Sequence, residues 1–341
     1  MRPSYFFIPF LVLLLLALIT GLLLRNELQQ YAQTPLQEKG EEILFSVRPG
    51  EGFRTVAERM EREGLIHSSF RLRVLARLEK KDTRLHIGTY AMSPALSPRY
   101  LLDMMVEGRV KRYRITLPEG LRITEIAKRV SQTGLVEEET FVWQAKDPAF
   151  AIRLGITAPT LEGYLFPDTY FFTHQDSVET MLHTMVKHFN RVFTDEKKER
   201  AKELGFSVHE IVTLASIIEK ETGAPEERPL ISSVFHNRLK KGMRLQTDPT
   251  VIYGIPDFGG SITRSHLRTP TPYNTYHIRG LPPGPIASPG KASIQAALWP
   301  AQSDYLFFVS RNDGTHHFST NLPEHNRAVQ KYQRGNRNSG Q

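Results

Sequence analysis

The segment "YFFIPFLVLLLLALITGLLL", Tyr5 to Leu24, carries no charged residue and has the length of about twenty residues that a helix needs to cross a bilayer. A secretory signal has a shorter apolar region and a small-residue cleavage site, whereas Leu22, Leu23 and Leu24 run directly into Arg25. Residues 5–25 therefore read as an uncleaved transmembrane anchor. Arg2 stands on one side, and Arg25 with Glu27 on the other, a balance that leans towards residues 1–4 being cytoplasmic. The rest of the chain is polar enough to be soluble, so the expectation is a single-pass protein with one large assembly on one side of the membrane.

At 341 residues the chain has room for two soluble units besides the anchor. The formal charge of +8 suits an anionic partner such as a lipid surface or an acidic cell-wall polymer. Lys and Arg are scattered rather than massed, which argues against a dedicated nucleic-acid surface. With no cysteine, disulfides, thiolate metal sites and a cysteine nucleophile are excluded together.

"NELQQYAQTPLQEKGEE", residues 26–42, has little apolar periodicity and a central Pro35, as expected of a juxtamembrane linker. A repeat follows. "FSVRPGEGFRTVAERMEREGLI" (Phe45 to Ile66) returns as "ITLPEGLRITEIAKRVSQTGLV" (Ile115 to Val136), with Gly50/Gly120, Ala57/Ala127, Arg59/Arg129, Gly64/Gly134 and Leu65/Leu135 in register. Each copy reads as a short strand, a glycine turn and an amphipathic helix closed by glycine. Two copies are too few for a solenoid, so they are expected to build one compact module over residues 43–136, with the intervening "FRLRVLARLEKK" helix and "RLHIGTYAMS" strand. Its function is either packing or carbohydrate binding.

Residues 137–333 form the second expected domain and 334–341 a flexible tail. "LEGYLFPDTYFF" (Leu161 to Phe172) suggests a buried loop or short strand. An amphipathic helix opens at Ser177, and a Ser207/Glu210 capping box opens another. The stretch Thr269 to Gly290 is too rich in Pro and Gly for regular elements, and "YLFFVS" with "HHFST" reads as a hairpin.

The helix after Ser207 carries the chemistry. Ile211, Leu214, Ala215 and Ile218 define its buried face, and Glu219 and Glu221 fall about 80° to either side of that face. The two acids therefore diverge and cannot be the facing carboxylates of a standard glycosidase. Glu219 shares its side with Val212, Ala215 and Ser216, where core meets an opening, and it lies in the last turn among unpaired carbonyls. Both settings favour the protonated acid that a general acid must be. Downstream, Asn237, Arg238, Gln246, Thr247, Asp248 and Tyr253 supply hydrogen-bonding side chains of the sort that read sugar hydroxyls, and Tyr273, Asn274 and Tyr276 add aromatic faces for pyranose rings. Together they favour a glycan cleft. His316, His317 and His325 invite a metal reading, but adjacent histidines point to opposite sides of a strand and no HExxH accompanies them. No metal or other cofactor is expected.

"ASIIEKET", "VFHNRL", "MRLQTDPTVIYG", "TPYNTY", "GLPPGPIASPG" and "EHN", with "LEGYLFPDTY" ahead of them, resemble the YceG-like family over essentially the whole chain. The resemblance implies an α+β protein: an N-terminal transmembrane helix, a LysM-like β/α module and a mixed α/β catalytic domain. It implies a lyase of the cytoplasmic (inner) membrane, facing outwards, that cuts nascent peptidoglycan glycan strands internally, with the first acid of "EKET", here Glu219, as the catalytic group. Glycan strands and the lipid bilayer are the implied partners, and peptidoglycan synthases are left open. Such an enzyme needs one acid, because the muramyl C6 hydroxyl closes on C1 and water never attacks. Two alternatives stay open: a hydrolytic muramidase using Glu219 with Asp248, and a non-catalytic glycan-binding scaffold of the cell-wall machinery.

Overall fold

The computed structural model describes residues 7–256 and 258–334. The expected cytoplasmic segment 1–4 lies outside the described residues, as does the expected tail beyond Arg334. The chain divides into two compact units, residues 1–113 with 172–175 and residues 114–171 with 176–341.

The first unit begins with α1 (Phe7–Gln33) and continues through β1 (Ile43–Val47), α2 (Phe53–Arg62), α3 (Ser69–Leu78), β2 (Gly88–Met92) and α4 (Pro98–Val106). Among the described residues α1 is the one helix long and apolar enough to cross a membrane, and its side chains from Phe10 to Leu24 are exposed. Strands β1 and β2 pair antiparallel, with Phe45 opposite Tyr90. Alternation along β1 turns Phe45 and Val47 inward and leaves Leu44 outside. Helix α2 buries Phe53, Val56, Ala57 and Met60, spaced three and four apart as one helical face requires. The Arg59 guanidinium lies over the Phe45 ring and bonds Glu51 and the Ser46 carbonyl. Ser68 and Ser97 cap α3 and α4.

The expected linker differs from the structure in its first eight residues. Helix α1 does not stop at residue 25 but runs on to Gln33, and Tyr31 and Ala32 are buried in the core of this unit with Leu28 packed against it. The Tyr31 hydroxyl donates to the Ser68 carbonyl, Glu27 pairs with Arg71, and Arg99 donates to Gln29. Three apolar contacts in eight residues are too short a pattern to stand out in the sequence.

The second unit contains β3 (Tyr113–Thr116), α5 (Ile123–Ser131), α6 (Glu138–Ala145), α7 (Pro148–Arg153), β4 (Thr169–Phe172), α8 (Val178–Val192), α9 (Asp195–Glu203), α10 (Val208–Glu221), α11 (Arg228–Lys240), α12 (Asp248–Tyr253), α13 (Arg264–Arg268), α14 (Lys291–Leu298), β5 (Phe307–Ser310), β6 (His316–Ser319) and α15 (Leu322–Val329); β3 and β4 belong to it except for Tyr113 and Phe172. Strand β3 pairs with β4 and β5 with β6, the latter pair antiparallel. Helix α10 is central: all eight residues from Ile211 to Ile218 are buried, and α14, α11, α12 and α9 pack on it. The sequence pattern marked one buried face, whereas a helix packed on all sides needs apolar or internally bonded residues all round.

The two copies of the repeat do not form one module over residues 43–136. Their local structure agrees, a strand and a helix joined by a turn with Gly50 and Gly120 at φ near +78° and +79°, conformations glycine adopts without steric cost. Their strands, however, find different partners. β1 pairs with β2 inside the first unit, while β3 pairs with β4 and α5 packs on α6 inside the second. The boundary accordingly falls at Tyr113 rather than Val136.

Removing residues 1–24 should leave the first unit intact, whereas removing residues 1–33 strips Leu28, Tyr31 and Ala32 from its core. Losing the buried tyrosine alone should cost about 3 kcal/mol or more. Thermal unfolding of the two truncated proteins checks this, and equal midpoints would mean that the end of α1 adds nothing to the unit.

Candidate active site

Helix α10 starts at the Ser207/Glu210 capping box, in which each side chain satisfies the other's backbone N–H. Its far end is closed by Thr222, whose hydroxyl and N–H both donate to the Ile218 carbonyl. The irregular segment 283–290 is laid along this helix by a series of polar contacts. His209 Nε2 is 2.9 Å from the Pro283 carbonyl, Ser216 Oγ accepts from the Ile286 N–H at 3.0 Å, and Glu219 Oε2 accepts from the Gly290 N–H at 2.9 Å. Gly163, at φ +83°, packs so closely on Pro285 that an added Cβ would lie 2.5 Å from it. The polar contacts satisfy two backbone donors and one carbonyl in a Pro/Gly-rich stretch that has no ladder of its own.

The turn between β3 and α5 joins the same assembly. Gly120 N–H donates to the Ser288 carbonyl and Ser288 N–H to the Leu121 carbonyl, both at 2.8 Å. Glu219 is thereby enclosed by α10, by the 283–290 segment and by the 117–121 turn, and only 7% of its side chain is exposed. Arg228, at the start of α11, completes the site: its Nη2 lies 3.6 Å from Glu219 Oε1 and 3.9 Å from Glu119 Oε2. The Arg228 Nε is buried without a partner, so this guanidinium retains an unused donor. The Glu119 carboxyl rests against Gly290, where an added Cβ would fall 1.8 Å from Glu119 Oε1. Burial, and next the charge of Glu219, raise the Glu119 carboxyl above its usual range, with Arg228 opposing them.

Glu221 diverges from Glu219, as helical spacing requires, and enters a different network. Thr247 Oγ1 donates to its carboxyl. Burial raises that carboxyl, and the nearby Asp248 charge adds to the effect. Asp248 accepts from the Tyr276 hydroxyl at 2.7 Å, and Thr247 N–H donates to Thr275 Oγ1. Gln246 takes φ +49° and donates its N–H to the Thr275 carbonyl. His316 Nδ1 stands 2.6 Å from Glu227 Oε2.

The residues expected to read sugars have hydrogen-bond partners other than Glu219. Gln246, Thr247, Asp248 and Tyr276 brace the Glu221 side. Asn237 gives its amide hydrogens to the Ser303 and Tyr305 carbonyls. Arg238 donates to the Leu306 and Leu245 carbonyls and lies over the Phe307 ring. Asn274 is fully buried and holds the Leu267 and Thr269 carbonyls. In these three, side-chain donors bond carbonyls of irregular backbone that would otherwise be buried unpaired. Tyr253 and Tyr273 pack together at 4.7 Å beside a third acid that the sequence reading passed over.

That acid is Glu162, 6% exposed. It accepts from the Ile123 N–H at the start of α5 and from the Tyr253 hydroxyl. Burial pushes it from an ordinary 4.5 up to about 7, against the opposing pull of the Ile123 N–H, the Tyr253 hydroxyl and the Arg122 charge. Glu119 was also passed over, although the repeat carries a signal for it: the turn that reads "RPG" at residues 48–50 reads "PEG" at 118–120, so an acid replaces Pro49 in an otherwise matched frame.

The profile of the YceG-like family matches residues 45–331. The chain belongs to the YceG-like family. It is 35% identical over 261 residues to a Bacillus subtilis protein named endolytic murein transglycosylase, an alignment covering 72% of each chain. It is 27% identical to a Streptococcus pneumoniae protein of the same name, covering 85% of this chain and 58% of that longer one. The crystal structure of a yceG-like protein from Listeria monocytogenes superposes with a TM-score of 0.59 at 33% identity, over 84% of this chain and 98% of the other.

Glu162 gives the family member a testable pH dependence. Between about pH 4.5 and about pH 7 the folded protein holds a proton that the unfolded chain has released. Stability contributed by this group is thus present at acid pH and lost as pH rises through that window, with a slope of at most about 1.4 kcal/mol per pH unit. Glu162→Gln keeps an acceptor for the Ile123 N–H and should flatten that slope. Denaturant titrations across the window check it, and parallel curves for the two proteins would contradict the assignment.

Proposed function

We propose that this chain is an endolytic peptidoglycan lytic transglycosylase, anchored in the cytoplasmic membrane by α1, with its catalytic unit outside and Glu219 as its acid. The observation that carries the reading is the setting of Glu219. It is a nearly enclosed carboxyl at the end of a buried helix, with one oxygen fixed by the Gly290 N–H and the other facing the Arg228 guanidinium. The names of the bacillar and streptococcal relatives support the substrate class.

In the proposed reaction the protonated Glu219 gives its proton to the glycosidic oxygen between N-acetylmuramic acid and N-acetylglucosamine as the C1–O bond breaks. The resulting carboxylate then takes the proton of the muramyl C6 hydroxyl while that oxygen bonds to C1. The strand ends in a 1,6-anhydromuramyl unit, and Glu219 returns to its protonated form with no water consumed. In its ionised interval the carboxylate is supported by the Gly290 N–H and by Arg228, as a group that alternates between acid and base must be. Asp248, the partner a hydrolytic mechanism would draw on, is bonded to Tyr276 on the Glu221 side of the helix. The β1–α2 portion of the first unit is the part proposed to engage glycan.

Glu219→Gln keeps volume and the acceptor for Gly290 but removes the transferable proton. It should lower the rate of glycan cleavage about a hundredfold to ten-thousandfold. Glu221→Gln, on the other flank, should cost much less. The measurement is anhydromuramyl ends formed per unit time from uncrosslinked glycan. Full activity in Glu219→Gln would overturn the mechanism, and comparable losses in the two would remove the distinction between the flanks.

A further inference from the structure

Arg228 offers one nitrogen to two carboxyls. Its Nη2 stands 3.6 Å from Glu219 and 3.9 Å from Glu119. The two acids differ in access to solvent, with 7% of the Glu219 side chain exposed and 45% of Glu119. A guanidinium beside a lone carboxyl favours the ionised form, and the Gly290 N–H on the opposite oxygen acts in the same direction. Glu219 makes both contacts, with Arg228 at Oε1 and the Gly290 N–H at Oε2. A second acid on the same cation reverses part of that pull, since one positive charge cannot fully compensate two negative ones at this separation.

We propose that Glu119 is a positioning residue for Glu219: by sharing Arg228 it keeps the inner carboxyl able to carry the proton that the leaving oxygen receives. The inference rests on the reading of Glu219 as the acid and extends it to the 117–121 turn. Gly290 is the steric condition for the arrangement, because the outer carboxyl occupies the space where any other residue would place its Cβ. In the first copy of the repeat the corresponding residue is Pro49, so the acid is a property of the copy that meets α10.

Of the other charged groups on the packed elements, Lys220 reaches the same turn and the rest have the following partners. On α10, Lys220 Nζ donates to the Gly120 carbonyl and Glu221 points to Thr247. On α11, Arg238 and His236 bond the Leu245 and Ala297 carbonyls, and Glu227 before that helix binds His316. On α12, Asp248 binds Tyr276. On α14, the charge of Lys291 acts on Lys197 of α9, whose ammonium donates to the Val192 carbonyl. The 283–290 segment brings backbone and Ser288 but no charge. Glu119, Arg228 and Lys220, whose Nζ bonds the Gly120 carbonyl of the same turn, are thus the charges gathered near Glu219, and of these Glu119 is the anion.

The test is the pH profile of kcat/KM on glycan strands for the full-length protein in detergent, with Glu119→Gln, Glu119→Asp and Glu219→Gln alongside. Removing the Glu119 charge should move the basic limb to lower pH by about one unit, so that activity above the limb falls about tenfold while the acid side converges on the wild-type rate. Glu119→Asp restores the charge and should move the limb back. A Glu119→Gln profile that superimposes on wild type, or that is lowered by one factor at every pH, would overturn the inference. Glu219→Gln separates the two failures. If it is inactive while the Glu119→Gln profile is unshifted, only the role of Glu119 falls; if it is active, the assignment of Glu219 falls first.

Discussion

Helix α10 is buried over eight consecutive residues, and every polar group along it must find its partner inside the protein. Burial of its isoleucines, leucine and valine stabilises the fold by about 1.5–3 kcal/mol each, but that same burial leaves the 283–290 backbone, packed on the helix, without water for its N–H groups. Ser216 and Glu219 answer two of those donors, from Ile286 and Gly290. Ser216 is itself satisfied by donating to the Thr213 carbonyl. An unpaired buried N–H costs about 1–3 kcal/mol, so the helix, the segment and the carboxyl hold one another in place. The position of Glu219 is a consequence of packing.

The 117–121 turn and the start of α11 inherit that geometry. The pair of bonds between Ser288 and residues 120–121 brings the turn to the segment, and the turn brings Glu119 to Arg228. Glu119, a hundred residues away in sequence, thus joins Glu219 and the nearby Arg228 where the helix ends. A single cation there faces two carboxyls, Glu219 at 3.6 Å and Glu119 at 3.9 Å.

The divergence of Glu219 from Glu221 was legible because it follows from local periodicity, and the hairpin and the capping box were legible for the same reason. What escaped was non-local. Glu119 is a turn residue whose meaning comes from Ser288 and Gly290, far along the chain, and Glu162 lies in a loop expected to be buried, but its partners, the Ile123 N–H and the Tyr253 hydroxyl, are remote in sequence. Asn237, Arg238 and Asn274 look like sugar readers in the sequence, since the same hydrogen-bonding groups serve equally to pair the carbonyls of an irregular backbone. The repeat misled in another way, since matched strand-turn-helix sequences fix a local shape but not the strand each will pair with. The end of α1 was missed because three contacts suffice to fasten a helix to a core.

In the proposed reaction one carboxyl performs both proton transfers and no water enters. Mass spectrometry of the products that the purified protein releases from peptidoglycan measures this directly. Muramyl ends lighter by one water than the hydrolysis product are expected throughout the time course. Reducing muramyl ends carrying the mass of an added water would contradict it.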